Sequence, residues 1–248
     1  MRLTVVGAGP AYSDTPGAVG ACYLVRTRSA VMALDLGHGS FAGLASRVPP
    51  ESLTTVVISH LHPDHFVDLV ALRHWLRYHL DPPGRVRVDG PADLAARLDA
   101  LHDEPGFTAA ALDPVPLTPG KRRVGPFTIE SCRVRHTNDS FAVRVSTAVG
   151  RPGIVYSGDV GAAEDLADLI RLGDILLVEA SFGVGPVPPG AEHLDGPAVG
   201  RLAEATQPGR VLLTHLLPRS DPAATVASVR ATFAGPVEVV APGTVIDT

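Results

Sequence analysis

Thr55-Val56-Val57-Ile58 runs straight into Ser59-His60-Leu61-His62-Pro63-Asp64-His65. The first four residues are β-branched and read as a buried strand. His60 and His62 stand two apart, so on extended backbone they face the same side. Pro63 suits the first position of a helix, and Asp64 then falls where a helix N-terminus favours negative charge. Phe66, Leu69, Val70, Leu72 and Leu76 follow at helical spacing and predict a long helix ending near His79. A strand end, a tight loop and a helix start thus gather three imidazoles and a carboxylate. Neutral imidazole and carboxylate suit Zn, Fe or Mn. Packing alone would demand a separate buried partner for each of four polar side chains, so a purely structural role fits this array poorly.

Upstream, Leu3-Thr4-Val5-Val6-Gly7 reads as a first strand. Its continuation, Gly7-Ala8-Gly9-Pro10-Ala11-Tyr12, imitates a dinucleotide-binding loop. The third glycine is missing and no helix opens after it, so a plain turn is the better reading. Ala21–Val25 and Ala30–Leu34 make two more strands, the second ending in Asp35-Leu36-Gly37-His38-Gly39. His38 stands one residue past that turn, where both a site-facing and an exposed position are open to it. A short helix is expected from Ser40 to Arg47. His74 and His79 read as surface residues of the long helix.

Downstream, Arg85–Val88 alternates like a strand, and Pro91 to His102 reads as a helix. Residues 104 to 120 are rich in Pro and Gly and predict a loop. Lys121-Arg122-Arg123 reads as a solvated hairpin rather than a phosphate site. Phe127 to Val134 is strand-like and delivers His136. Ile154-Val155-Tyr156 ends in Ser157-Gly158-Asp159, and Ile175–Val178 ends in Glu179-Ala180-Ser181-Phe182. The Gly183 to Gly190 loop leads to His193, then to a helix from about Asp195 to Thr206. Val211–Thr214 delivers His215. A helix over Pro222 to Phe233 and a strand at Val237–Val240 close the pattern. Strands alternate with helices, and the polar residues gather at strand C-termini, where open α/β sheets place ligands.

The 248 residues suffice for one large α/β domain, 1–248, with a substantial core. No apolar run approaches the ~20 residues of a membrane span. The N-terminus enters a strand-like run with no signal-peptide layout, and Cys22 and Cys132 form no disulfide framework, so a cytoplasmic location is expected. A net charge of −5 disfavours a general nucleic-acid surface.

The run His-x-His-x-Asp-His resembles the signature of the metallo-β-lactamase fold superfamily of hydrolases. The ordered set His60, His62, Asp64, His65, His136, Asp159 and His215 matches its di-metal ligands. The resemblance covers nearly the whole chain and implies a four-layer αββα sandwich. It also implies two divalent ions, zinc first, with Mn or Fe as alternatives. His60, His62 and His136 would hold one ion, and Asp64, His65 and His215 the other. Asp159 would bridge them, with Asp64 counted among the catalytic groups as well. Asp35, in the Asp-x-Gly element, would support the metal site without ligating. An Asp at 159, where antibiotic-cleaving lactamases carry Cys, resembles the phosphodiesterase and RNase Z branch. That branch pairs a Glu with a His near the scissile bond, here Glu179 and His193, with His193 as proton donor to the leaving oxygen. The combination of Asp-Leu-Gly-x-Gly, Ser-His-Leu-His-x-Asp-His and Trp75-Leu76-Arg77-Tyr78 looks most like the actinobacterial-type cyclic nucleotide phosphodiesterases of this fold.

The expectation is a metal-dependent hydrolase in which a metal-bridging hydroxide cleaves a small phosphodiester such as a cyclic nucleotide. An RNA 3′-processing endonuclease of the RNase Z type, or a lactone or thioester hydrolase, are the alternatives of the same fold. A di-iron oxygen or NO reductase would usually carry Glu at position 62 and a flavin module. Nucleic acid is disfavoured as a partner but not ruled out, no membrane contact is expected, and a homodimer is compatible with the pattern.

Overall fold

The computed structural model describes residues 1–148 and 150–248. They divide into two compact units. Met1–Ala11, Ala18–Leu117 and Pro242–Asp247 form the first; Tyr12–Gly17, Thr118–Ala241 and Thr248 form the second.

In the first unit the chain runs through β1 (Arg2–Gly7), β2 (Cys22–Arg26), β3 (Val31–Leu34), α1 (Phe41–Ala45), β4 (Leu53–Val57), α2 (Pro63–Phe66), α3 (Leu69–His74), β5 (Val86–Gly90), α4 (Leu94–His102) and β6 (Leu112–Pro116). The second unit contains β7 (Gly120–Val124), β8 (Phe127–Arg133), β9 (Phe141–Ser146), β10 (Ile154–Tyr156), β11 (Ile175–Glu179), α5 (Gly196–Thr206), β12 (Arg210–Thr214), α6 (Pro222–Arg230) and β13 (Val237–Val239). A last strand, β14 (Val245–Asp247), returns to the first unit.

Each unit is built on a seven-stranded mixed sheet, ordered β14-β1-β2-β3-β4-β5-β6 and β13-β12-β11-β10-β9-β8-β7. The antiparallel part of each comes from strands consecutive in the chain, joined in the first sheet by β14, which pairs antiparallel with β1. The parallel part, β3 to β6 and β10 to β13, comes from strand–helix–strand crossovers. Strands buried on both faces read as unbroken apolar runs, and β11 is buried along its whole length. In the first unit Leu24, Ala33, Val56, Ile58 and Val88 pack with Phe66, Leu69 and Leu72. In the second, Val155, Leu176, Val178, Val211 and Leu213 pack with Val199, Leu202 and Val229. Asp195 caps α5 by accepting the Ala198 N–H, and Asp221 caps α6 by accepting those of Ala223 and Ala224. No helix among the described residues is long and apolar enough to cross a membrane.

Three local departures from the sequence reading have physical causes. The expected long helix after His62 is cut into α2, α3 and a π-helical turn at Trp75–His79. The break after Phe66 arises because the Asp64 carbonyl, which an uncut helix would offer to the Asp68 N–H, instead accepts the Ala21 N–H at 2.9 Å. The Asp68 N–H turns to the Leu36 carbonyl at 3.1 Å. The expected loop at 104–120 contains β6, whose Pro114 and Pro116 disguised it. A strand at a sheet edge tolerates proline, and β6 is such a strand. β14 has only three residues and pairs with β1, too short a run to read as a strand.

Candidate functional site

In the first unit Asp35, at the end of β3, is the anchor. It is fully buried and adopts φ +58°, a left-handed conformation that costs a non-glycine residue ~1 kcal/mol or more. Its Oδ1 accepts the Ser59 N–H at 2.7 Å, and its Oδ2 accepts the Ser59 hydroxyl at 2.7 Å. His65 Nδ1 lies 2.6 Å from the same Oδ2 and donates to it. Since the single Ser59 hydroxyl proton goes to Asp35, His60 Nδ1, 3.1 Å from Ser59 Oγ, must be the donor there. Both rings therefore keep their Nδ1 protons, and Nε2 of each carries the lone pair. His65 Nε2 faces Asp64 Oδ2 at 3.4 Å. The His60 ring lies 4.7 Å from that of His62 and 4.1 Å from that of His65.

Close backbone approach holds this cluster together. A Cβ on Gly37 would stand 1.8 Å from the Asp64 carbonyl oxygen, so the Asp35-Leu36-Gly37 loop needs its glycine. The Leu36 N–H also donates to the His65 carbonyl at 2.8 Å. His38, half-buried in the same loop, has its Nδ1 against Gly20 and is not among the groups able to hold an ion among the described residues.

The second unit repeats the arrangement with a glutamate. Glu179, fully buried at the end of β11, accepts the Val160 N–H at 3.0 Å and His193 Nδ1 at 2.8 Å on Oε1. Its Oε2 accepts the Ser181 hydroxyl at 2.6 Å, the Ser181 N–H at 3.1 Å and the Leu194 N–H at 3.3 Å. With its hydroxyl proton committed to Glu179, Ser181 Oγ accepts from His215 Nδ1 at 3.0 Å. His136 Nδ1 donates to the Glu192 carbonyl at 2.7 Å. Burial pushes the His136 pKa below the ordinary histidine value and outweighs the opposing pull of Asp159, which favours the neutral ring a metal needs. His215, like Asp35, sits at positive φ, +60°.

Asp159 lies between two of these rings. Its Oδ2 stands 3.6 Å from His136 Nε2, and its Oδ1 stands 3.6 Å from His215 Nε2. Those gaps are too long for hydrogen bonds. They suit two donors on one tetrahedral ion, which at ordinary bond lengths lie ~3.4 Å apart. One carboxylate so placed offers a different oxygen to each of two neighbouring positions. Glu179, His193 and His215 also bring ligand atoms within 4.8 Å of one another. Glu179, however, is consumed by four hydrogen-bond donors besides His193, so it orients that ring.

The donor set thus fits divalent ions. Carboxylates are at hand, and four imidazoles, His60, His65, His136 and His215, have Nδ1 committed to protein acceptors and Nε2 directed elsewhere. Within the first unit the structure gathers Asp35, His60, His62, Asp64 and His65; within the second, Asp159, Glu179, His136, His193 and His215. Sequence reading missed the part played by the two serines. The available signal was position: Ser59 directly precedes the first histidine, and Ser181 follows Glu179 by two residues on strand-end backbone.

A sequence profile of the family described as "Beta-lactamase superfamily domain" matches residues 35–216. An uncharacterized protein of Mycobacterium leprae, ML1173, is 32% identical over 261 residues, covering 100% of this chain and 88% of that protein. The probable metallo-hydrolase YhfI of Bacillus subtilis is 27% identical over 227 residues, 87% of each chain. The crystal structure of YhfI superposes with a TM-score of 0.89 at 22% identity, covering 100% of this chain and 99% of that one. Human tRNase Z, short form, superposes with a TM-score of 0.75 at 17% identity, covering 100% and 99%. These likenesses show the fold, a metallo-β-lactamase α/β sandwich of two mixed sheets flanked by helices.

Proposed function

We propose that this chain, which belongs to the beta-lactamase superfamily, is a di-metal hydrolase that cleaves a small phosphodiester such as a cyclic nucleotide. The observation that carries the reading is the pair formed by Glu179 and His193, 2.8 Å apart beside Asp159. A thiolate leaves a thioester with little need of an acid, whereas an alkoxide leaving a phosphodiester needs a proton.

In this reading His60, His62 and His136 hold one ion and Asp64, His65 and His215 the other, with Asp159 between them. Zinc is the proposed occupant; Mn or Fe would satisfy the same donors. When bound, the ions supply a nucleophile from water at neutral pH and offset charge on the phosphoryl group. Asp35 and Ser59 fix His65 and His60 with Nε2 forward, and Ser181 does the same for His215. Glu179 holds His193 by Nδ1, so that the proton for the leaving oxygen is carried on Nε2.

The connection from β9 to β10 is only residues 147–153, too short a stretch of chain for an RNA-gripping arm at that place. The net charge of −5 favours a small substrate in the same direction. The relationship to human tRNase Z keeps RNA 3′ processing as the rival. The deciding experiment has two arms. His193→Ala should slow diesters with alkoxide leaving groups about a hundredfold more than nitrophenyl diesters, which need little protonation. Cyclic AMP should be turned over in direct competition with a precursor tRNA bearing a 3′ trailer. Equal losses remove the acid role, and trailer removal without cyclic AMP turnover promotes the rival.

A further inference from the structure

A cavity of about 620 Å³ lies wholly within the second unit, with His193 in its wall. That volume is in the range that holds a small-molecule ligand. Its lining includes one face of α5, where Ala198, Leu202 and Ala205 recur at helical spacing, together with Ala163 and Ala167. Four of these five are alanines, whose small side chains leave a low-relief apolar shelf beside Leu202, which suits a flat ring system.

The charged groups of the wall are not equivalent. Arg135 is tied to Glu164 at 2.6 Å and to Asp165 at 2.7 Å. Asp195 is occupied in capping α5. Arg201 is exposed, and its side chain makes no hydrogen bond or ion pair among the described residues. One uncommitted guanidinium therefore stands at the edge of an apolar shelf, one helical turn beyond Ala198. Guanidinium stacks on aromatic faces and donates to ring nitrogens and carbonyl oxygens.

We infer that this cavity is the subsite for the nucleoside of the substrate, with the base on the alanine shelf and Arg201 against its face. The inference deepens the phosphodiesterase reading and rests on it for one point. His193 belongs both to the cavity wall and to the proposed proton-donating pair, so the nucleoside would sit on the side of the leaving oxygen. A cyclic nucleotide meets that condition, because its leaving oxygen is part of its own ribose.

Adenosine carries no phosphate and so reads the subsite apart from the metal ligands. Calorimetric titration of the metal-loaded protein should show adenosine binding in the millimolar range or tighter. Ala198→Trp, which fills the shelf, should weaken it about tenfold or more. Arg201→Ala should weaken it about fivefold. Metal content and melting temperature report whether each variant is folded; if the tryptophan variant is not, Arg201→Ala decides alone. No adenosine binding to the wild type, or wild-type affinity in the folded variants, overturns the inference. Adenosine binding without turnover of any phosphodiester would sink the functional reading and leave the nucleoside subsite standing.

Discussion

Ser181→Ala removes one oxygen atom from the centre of the second cluster. That oxygen gives its proton to Glu179 at 2.6 Å and receives the Nδ1 proton of His215 at 3.0 Å. A hydrogen bond to a charged group contributes ~1.5–3 kcal/mol, and a buried donor left unmet costs ~1–3 kcal/mol. The two share one atom and do not add, so the apo protein should lose about 3 kcal/mol. The second consequence is for the metal. Without its acceptor the His215 ring is no longer held with Nε2 toward Asp159. Loss of such an orienting partner typically costs about 10–100-fold in metal affinity. The assay is competition against a graded series of chelators, with bound metal read by elemental analysis and apo stability read by chelator-treated melting. Ser181→Ala should release metal at chelator strengths the wild type withstands. Retention equal to wild type would show that His215 is not held by Ser181, or does not ligate, and the reasoning from tautomers would fall.

Three further outcomes are expected. Protein purified without chelator should carry two equivalents of divalent metal, and His62→Ala should retain less; under one equivalent in the wild type counts against the whole site. Gly37→Ala should destabilise the protein by about 2 kcal/mol or more, because the new Cβ meets the Asp64 carbonyl oxygen at 1.8 Å; a melting temperature unchanged from wild type refutes that. Hydrogen bonding from Arg135 holds the Asp165 carboxyl below its ordinary 3.8, so this ion pair stabilises the folded state above about pH 4 and is lost as pH falls through the lowered value. The melting-temperature gap between wild type and Arg135→Met, both in chelator, should therefore be open at pH 7 and close in acid; a gap independent of pH removes the pair as its cause.

The parts of this fold legible in the sequence are those with a local signature. Val56–Ile58 and Ile175–Val178 are apolar because parallel strands are buried on both faces, and each announces the polar residue at its end. His60, His62, Asp64 and His65 fall within six positions, so their spacing alone betrays them. His136, Asp159 and His215 were legible only through the order of a known family, since nothing local distinguishes a single histidine after a strand. The break after Phe66 was invisible because its cause is a hydrogen bond from Ala21, far away in sequence. Apolar periodicity continues across the break, as the apolar face is buried whether or not the helix is cut. Leu112–Pro116 was hidden by composition: its prolines signal a turn until its place at the sheet edge is known.

The two clusters share one physical solution, reached with different residues. A carboxylate at the end of a parallel strand, Asp35 in one and Glu179 in the other, is buried completely and accepts a serine hydroxyl. That serine turns its remaining lone pairs to an imidazole, His60 in one and His215 in the other. A second imidazole, His65 or His193, bonds the carboxylate directly. The serine is needed because a short side chain at a strand end cannot reach two rings on separate elements. A hydroxyl interposed between carboxylate and imidazole extends the reach by one hydrogen bond and passes on the tautomer, since its single proton is already committed. Serine is also the smallest side chain able to do this without filling space beside the rings. Threonine at position 59 or 181 would keep the hydroxyl and add a methyl group to a site closed on all sides. Ser181→Thr should therefore preserve the tautomers and the metal affinity while losing stability by about 1–3 kcal/mol through overpacking, whereas Ser181→Ala loses metal affinity as well as stability. Chelator resistance separates the two variants, since both lower the melting temperature of the apo protein. If threonine releases metal as readily as alanine, packing around His215 and not its hydrogen bond sets the ring.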